Sequence, residues 1–217
     1  MDTSTGVAET AAQRAHRVLR DGIVDGTHPG GSMLSENTLA TALGMSRTPV
    51  RAALLRLEEE GWVTIYPKRG ALVRAFTAQD GHELAGARHL LETGGVRSAS
   101  AAALAGMCTR LEALIDAQEA AIREADRDGF VELCTAFHRG FVEAGGNGLL
   151  LDFADRLQNR QAMMLHLSLA AIDAHAQEIV DDHRALLDAA RRGDLDRFAE
   201  LLHTHMSHEP APRFGLA

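Results

Sequence analysis

The chain has 217 residues, 46% of them apolar, with one Trp, one Tyr, seven Phe and five Pro, which suits a buried core and not a disordered or fibrous chain. With no basic leader ahead of an apolar run and no apolar stretch approaching a bilayer's thickness, neither secretion nor a membrane partner is expected, and a cytoplasmic location is. The net charge of −8 argues against nucleic acid only as an average: residues 1–76 carry nine Lys+Arg against eight Asp+Glu, net +1, whereas 77–217 carry 13 against 22, net −9.

The small polar residues to about Glu9 read as a tail, 1–9. Ala15, Val18, Leu19, Ile23 and Val24 then fall on one helical stripe, which His28-Pro29-Gly30-Gly31 ends. Ser35 is a good N-cap for a short helix through Leu39, Ala40 and Leu43 to Gly44. Ser46 opens a third, over 46–61, with Pro49 tolerated in its first turn. Val63-Thr64-Ile65-Tyr66 and Ala71-Leu72-Val73-Arg74 are β-prone runs joined by Pro67-Lys68-Arg69-Gly70, a hairpin signal. Three helices and a hairpin make a winged helix-turn-helix over 10–76.

From Thr77 the chain is Ala- and Leu-rich with few breakers. Helices are expected near 78–105, 109–126, 129–144, 148–170, 174–191 and 194–207, with turns at Gly145-Gly146-Asn147-Gly148 and Arg192-Gly193-Asp194. The whole is therefore mainly α: the winged unit, an all-α antiparallel bundle over 77–208, and a tail over 209–217.

On the third helix Val50, Ala53, Leu54 and Leu57 face one way, while Arg47, Thr48 and Arg51 cluster on another face near its start. In a helix-turn-helix that start enters the major groove, where Arg bonds guanine and Thr meets a thymine methyl or a phosphate. Lys68 and Arg69 at the hairpin tip add two cations beside the backbone or the narrow groove. A single such Arg is ordinarily just solvated surface. The conjunction of tight turn, basic helix face and basic hairpin tip points to double-stranded DNA.

The run Ile23-Val24-Asp25-Gly26, Pro29-Gly30, Leu34-Ser35-Glu36, Leu39-Ala40, Leu43-Gly44-Met45-Ser46-Arg47-Thr48-Pro49-Val50-Arg51, Ala53-Leu54, Leu57, Glu60-Gly61, Pro67, Arg69-Gly70 and Val73 resembles the N-terminal domain of GntR-type bacterial regulators. The resemblance implies that Arg47 and Arg51 make the main base and phosphate contacts, supported by Ser46, Thr48, Lys68 and Arg69. Asn37, where relatives often have Arg, and Ala52, where Glu is usual, depart from the pattern.

Nine of the eleven histidines lie after residue 77. Cys134 and His138 are one helical turn apart, and His183 and His205 sit on two later helices, so a bundle packing the three together could gather four ligands. Taken singly, each histidine reads as a hydrogen-bonded core or surface imidazole, and Cys134 as a small hydrophobe. Arg88-His89-Leu90-Leu91-Glu92, Phe137-His138 with Asn147, and His183-Arg184-Ala185-Leu186 followed by His205 resemble the FCD ligand-binding domain of the FadR branch of this family. In its metal-binding members the ligands are one Asp and three His, which map to Cys134, His138, His183 and His205. Cys in place of Asp favours Zn²⁺ over hard cations, with another divalent transition metal as the alternative; a non-ligand Cys134 leaves three His and open positions.

The resemblance also implies a small carboxylate effector, for which Arg88 is the candidate, with Arg160 and Arg156 weaker ones; Arg88 can equally bridge to Glu92. His166, His175, His203 and His208 read as structural or surface residues. The expected whole is a homodimeric, ligand-responsive transcription regulator, a repressor by preference, on a pseudo-palindromic operator. A metalloenzyme, which needs an additional placed base and leaves the basic face unexplained, and a protein-binding winged module are the rivals, so no enzymatic activity is expected.

Overall fold

The computed structural model describes residues 9–208, with the side chains of 169–173 and 208 excepted; residues 1–8 and 209–217, where the two tails are expected, and the side chain of His208 lie outside the described residues. The chain divides into two compact units between Ala75 and Phe76, one residue before the expected boundary.

In the first unit, α1 (Ala11–Val24) starts at Thr10, whose side chain and that of Gln13 cap each other's backbone N–H groups. Helices α2 (Glu36–Leu43) and α3 (Arg47–Glu59) are joined through Gly44, whose φ of 61° is the left-handed conformation that lets the chain reverse in one residue. Val50, Ala53, Leu54 and Leu57 of α3 are buried together with Ala15, Leu19 and Ile23 of α1. This face holds the opposite, basic face outward.

The hairpin is part of a three-stranded sheet. Besides β2 (Val63–Tyr66) and β3 (Gly70–Val73), a two-residue strand β1 (Met33–Leu34) pairs antiparallel with β3, giving the order β1-β3-β2. The sequence reading gave two strands and not this third, because two residues are too short for any alternation to register. A side chain at Gly70 would run into the Leu34 carbonyl oxygen, so the glycine is required by β1's close approach as well as by its own φ of 117°. Glu58 Oε1 accepts a hydrogen bond from the Ile65 N–H at 2.6 Å and ties the end of α3 to the wing.

The second unit contains, among the described residues, α4 (Ala78–Ser98), α5 (Ala101–Glu124), α6 (Arg127–Ala144), α7 (Gly148–Leu167), α8 (Leu169–Arg192) and α9 (Leu195–His208), and no strand. The break expected between 105 and 109 falls instead at Ala99 and Ser100: α4 stops at Ala99, Ser100, whose hydroxyl accepts from the Ala103 N–H, starts α5, and α5 runs unbroken through 106–108. No Gly or Pro marks this break, so a cap alone makes it. Helix α6 packs against α4, α5 and α7, and its Phe137 and Phe141, with Leu111, Leu186, Phe198 and Leu202, form the centre of the core. His138 follows Phe137 directly and is carried into that core.

Candidate functional site

Each unit presents one concentration of chemistry. In the winged unit, Ser46 stands at the N-cap of α3 but its side chain makes no cap hydrogen bond, so the first N–H groups of the helix are not closed off by their own residue. Ser46, Thr48, Lys68 and Arg69 are exposed. Arg47 and Arg51 are 65% and 71% exposed at the side chain, and both lean on Glu36 of α2: Arg47 Nη2 donates to Oε2 at 2.9 Å and Arg51 Nε lies 4.0 Å from Oε1. Glu36 therefore gathers the two guanidinium groups while leaving both in water, and competes for them with an incoming phosphate. Glu36 was missed as a functional residue. Its signal is a carboxylate at the start of α2, opposite a basic helix face.

In the helical unit, His138 of α6, His183 of α8 and His205 of α9 converge, with one ligand atom from each lying within 4.8 Å of the others, and all three are buried. Cys134 is buried on α6 one turn before His138 but is not in this group, so the structure gathers three of the four expected ligands. A thiol reaches one bond beyond Cβ, while an imidazole Nε2 reaches well past it. A site set by three Nε2 atoms leaves the shorter side chain behind.

The outer nitrogens are all engaged. His138 Nδ1 lies 2.7 Å from Glu92 Oε2, His183 Nδ1 2.8 Å from Gln118 Oε1 and His205 Nδ1 3.1 Å from Asp182 Oδ2. Carboxylates and an amide oxygen only accept, so each Nδ1 is the protonated nitrogen and each Nε2 turns a lone pair inward. Gln118 is itself fully buried, and its Nε2 donates to the Leu133 carbonyl at 3.3 Å, which fixes the amide with its oxygen toward His183. His138 Nε2 and His205 Nε2 stand 3.2 Å apart. With both Nδ1 atoms protonated, that separation requires a hydrogen or a cation between the two lone pairs. His183 Nε2 is buried with no hydrogen-bond partner. Burial first, then the neighbouring His205, His138 and Arg88, hold the His183 imidazole well below its ordinary pKa, in the neutral form that binds metals.

Three nitrogen donors, three oriented acceptors behind them, and one buried donor atom without a hydrogen-bond partner are a set that could hold a metal ion. Gln118 and Asp182 were not singled out from sequence, and Glu92 was read only as part of the Arg88 motif and a partner of Arg88, not as an acceptor behind a histidine. Each lies 23 to 65 residues from the histidine that it backs, so nothing local marks the pairing.

A cavity of about 20 Å³, lined by Arg88, Glu92, Thr135, His138, Gln158 and Gln161 among others, adjoins the cluster. Arg88 bridges to Glu92 at 3.3 Å with both side chains buried, so Arg88, Glu92 and His138 form one chain of contacts. Arg160 is exposed and lies outside the lining, as does Arg156; α7 instead turns Gln161 inward, its Nε2 buried with no hydrogen-bond partner. A helix of 3.6 residues per turn cannot aim positions 160 and 161 the same way. His166 is buried with Nδ1 3.5 Å from Asp128, His175 is exposed beside Glu178 at 3.1 Å, and exposed His203 sets its ring 6.0 Å from that of His89.

Residues 11–73 match the family described as bacterial regulatory proteins, gntR family, and residues 83–208 match the FCD domain. Among curated proteins, the chain is 24% identical over 206 residues to the HTH-type transcriptional repressor RspR of Escherichia coli K12, covering 95% of this chain and 90% of that one. It is 27% identical over 189 residues to the gluconate operon transcriptional repressor of Bacillus licheniformis, covering 85% and 77%. A solved chain described as a GntR transcriptional regulator from Rhodococcus sp. RHA1 superposes with a TM-score of 0.66 at 26% identity, over 90% of this chain and 93% of that one. Among the described residues, no helix is long and apolar enough to cross a membrane.

Proposed function

The chain belongs to the gntR family of bacterial regulatory proteins with an FCD domain, transcription regulators that bind DNA and are not enzymes, and on that premise we propose that it is a homodimeric, metal-containing, effector-responsive repressor. The relatives named as repressors support the sign of regulation. Acting on DNA within a bacterium, the protein works in the cytoplasm. Two copies set their α3 helices into successive major-groove turns of a pseudo-palindromic operator, with Arg47 and Arg51 reading base edges, and Ser46, Thr48, Lys68, Arg69 and the open start of α3 holding phosphates.

The convergence of three Nε2 atoms, each backed by an acceptor at Nδ1, carries the metal reading. His138, His183 and His205 would hold the ion, and three neutral imidazoles suit Zn²⁺ or a neighbouring divalent transition metal. Bound there, it would supply a Lewis-acid position and join α6, α8 and α9. Arg88 and Gln161 offer a guanidinium and an unengaged amide N–H to a small carboxylate in the adjoining cavity. That cavity has room for one water as it stands, so entry of an organic acid displaces the wall formed by α7. An effector that binds the displaced arrangement better shifts the population toward it, and its affinity is coupled reciprocally to that for DNA.

Elemental analysis of protein purified without added metal tests the reading. About one equivalent of a transition metal per chain is expected, lost in His183→Ala. A metal-free protein that takes up neither Zn²⁺ nor a neighbouring ion would end it.

A further inference from the structure

Of the chain's 22 Lys and Arg residues, 21 are Arg. The single lysine is Lys68, in the turn of the wing. A guanidinium keeps its charge throughout the range in which proteins work, whereas a lysine side chain can shed its proton and become a nucleophilic amine. Among the side chains of the sequence, Lys68 therefore offers the one primary amine.

The backbone carries that lysine against its steric preference. Tyr66 to Arg69 form a tight turn, closed by the Arg69 N–H donating to the Tyr66 carbonyl at 3.0 Å, with Pro67 in second place and Lys68 in third. The φ of Lys68 is 64°, a left-handed conformation for which the third place of a turn ordinarily selects Gly or Asn. At Gly70, two residues on, the chain does use glycine for a φ of 117°. What the strained third place secures is an amine at the hairpin tip. Lys68 is exposed, and among the described residues its side chain has neither an ion pair nor a hydrogen bond; the same holds for Arg69 beside it. Arg47 and Arg51, by contrast, are gathered by Glu36. An uncommitted guanidinium next to an uncommitted amine makes a seat for a phosphate with a nucleophile at its edge. The duplex supplies such a phosphate. So does an acyl phosphate, a small anion that carries an electrophilic carbonyl carbon.

We propose that Lys68 is an acylation site whose donor is an acyl phosphate. The Nζ lone pair attacks the carbonyl carbon and the amide C–N bond forms. The bond from that carbon to the bridging oxygen breaks, inorganic phosphate leaves beside Arg69 with the electron pair, and the proton lost from nitrogen goes to water. The product is neutral, so each modified wing gives up one cation that would hold the duplex. The proposal rests on the reading of Lys68 and Arg69 as phosphate contacts and sets modification against DNA binding: bound duplex covers the amine, and an acylated amine holds the duplex less.

Full-length protein incubated with acetyl phosphate, then followed by intact mass, peptide mapping and fluorescence anisotropy on a fragment selected from the source genome, tests this. One acetyl group is expected at Lys68, added more slowly in Arg69→Gln and in the presence of the fragment. At about 0.1 M salt the modified protein should bind about 10-fold or more weakly, with the slope of log affinity against log salt reduced by about one for each wing. Untreated Lys68→Gln should match the acetylated protein. The affinity of Lys68→Arg should be the same before and after treatment, which separates Lys68 from the amine at the start of the chain. A Lys68 left unmodified while a free lysine peptide in the same solution is acetylated overturns the proposal alone, as does modification by acetyl-coenzyme A only, or a treatment loss that Lys68→Arg shares. Undiminished binding by Lys68→Gln overturns the phosphate contact itself and the proposal with it.

Discussion

The two units handle charge in opposite ways. In the winged unit the cations that matter, Arg47, Arg51, Lys68 and Arg69, stand in water, and a single half-buried carboxylate, Glu36, gathers two of them. In the helical unit the groups that matter are buried imidazoles, and each outer nitrogen is tied to an acceptor. The contrast follows from the ligands proposed for the two units. A polyanion is met by displacing counterions at a surface, which needs mobile exposed charge. A buried ion has to be met by donors already aimed, because side chains in a packed core cannot rearrange cheaply.

Substitutions at four positions sharpen or break that contrast. The largest effect is expected at the surface: Arg51→Ala should weaken operator binding by about 100-fold or more, since each lost base contact is worth about 1–3 kcal/mol and the dimer loses two. Fluorescence anisotropy on fragments selected from the source genome, at fixed salt, measures it, and unchanged affinity would remove α3 from the interface.

Next comes the outer shell of the buried site. Gln118→Leu keeps the volume but removes the acceptor behind His183, and should cost about 10–100-fold in Zn²⁺ affinity by competition with a chromogenic chelator. Gln118→Glu, which still accepts, should lie close to the wild type. Equal affinities for all three proteins would show that the amide is only packing.

Removing the gathering carboxylate has a smaller effect of opposite sign. Glu36→Gln leaves Arg47 and Arg51 without a competitor and should raise DNA affinity a few-fold, in keeping with the roughly 0–1 kcal/mol of an exposed pair. The gain should shrink as salt rises. A loss instead would mean that Glu36 orients the arginines more than it competes for them.

The smallest effect concerns pH. Burial alone would raise the Glu60 carboxyl, but His16 at 2.7 Å and Arg56 at 2.8 Å outweigh it and hold it below the ordinary value. A carboxyl lowered on folding stabilises the protein above its unfolded pKa and loses that contribution as pH falls through the folded one. Thermal melts of wild type and Glu60→Gln should therefore differ near neutral pH and converge in acid. Parallel curves would rule out the linkage.

Much of the winged unit was legible in the sequence because its signals are local. Apolar stripes and a glycine at each turn set α1 to α3, although neither Ser35 nor Ser46, the expected N-caps, makes a side-chain cap hydrogen bond, and Pro67 to Gly70 announced the wing. Strand β1 was not legible, since two residues carry no period. In the bundle, helix positions followed from composition, but the break at Ala99 and Ser100 did not, because only a capping hydroxyl makes it. The histidines were picked out through resemblance, and Cys134 with them; the structure keeps His138, His183 and His205 together and leaves Cys134 aside. Arg160 failed for a similar reason, one residue of helical phase separating it from Gln161.

The order of the elements, the basic face of α3 and the identity of the family were already determined by residues close together along the chain, where periodicity and steric preference act within a few positions. Which imidazoles meet, which acceptors stand behind them and which face of α7 lines the cavity were decided only when helices distant in sequence packed. The reach of a side chain and the phase of its helix then fix, to within a bond length, what one group can touch.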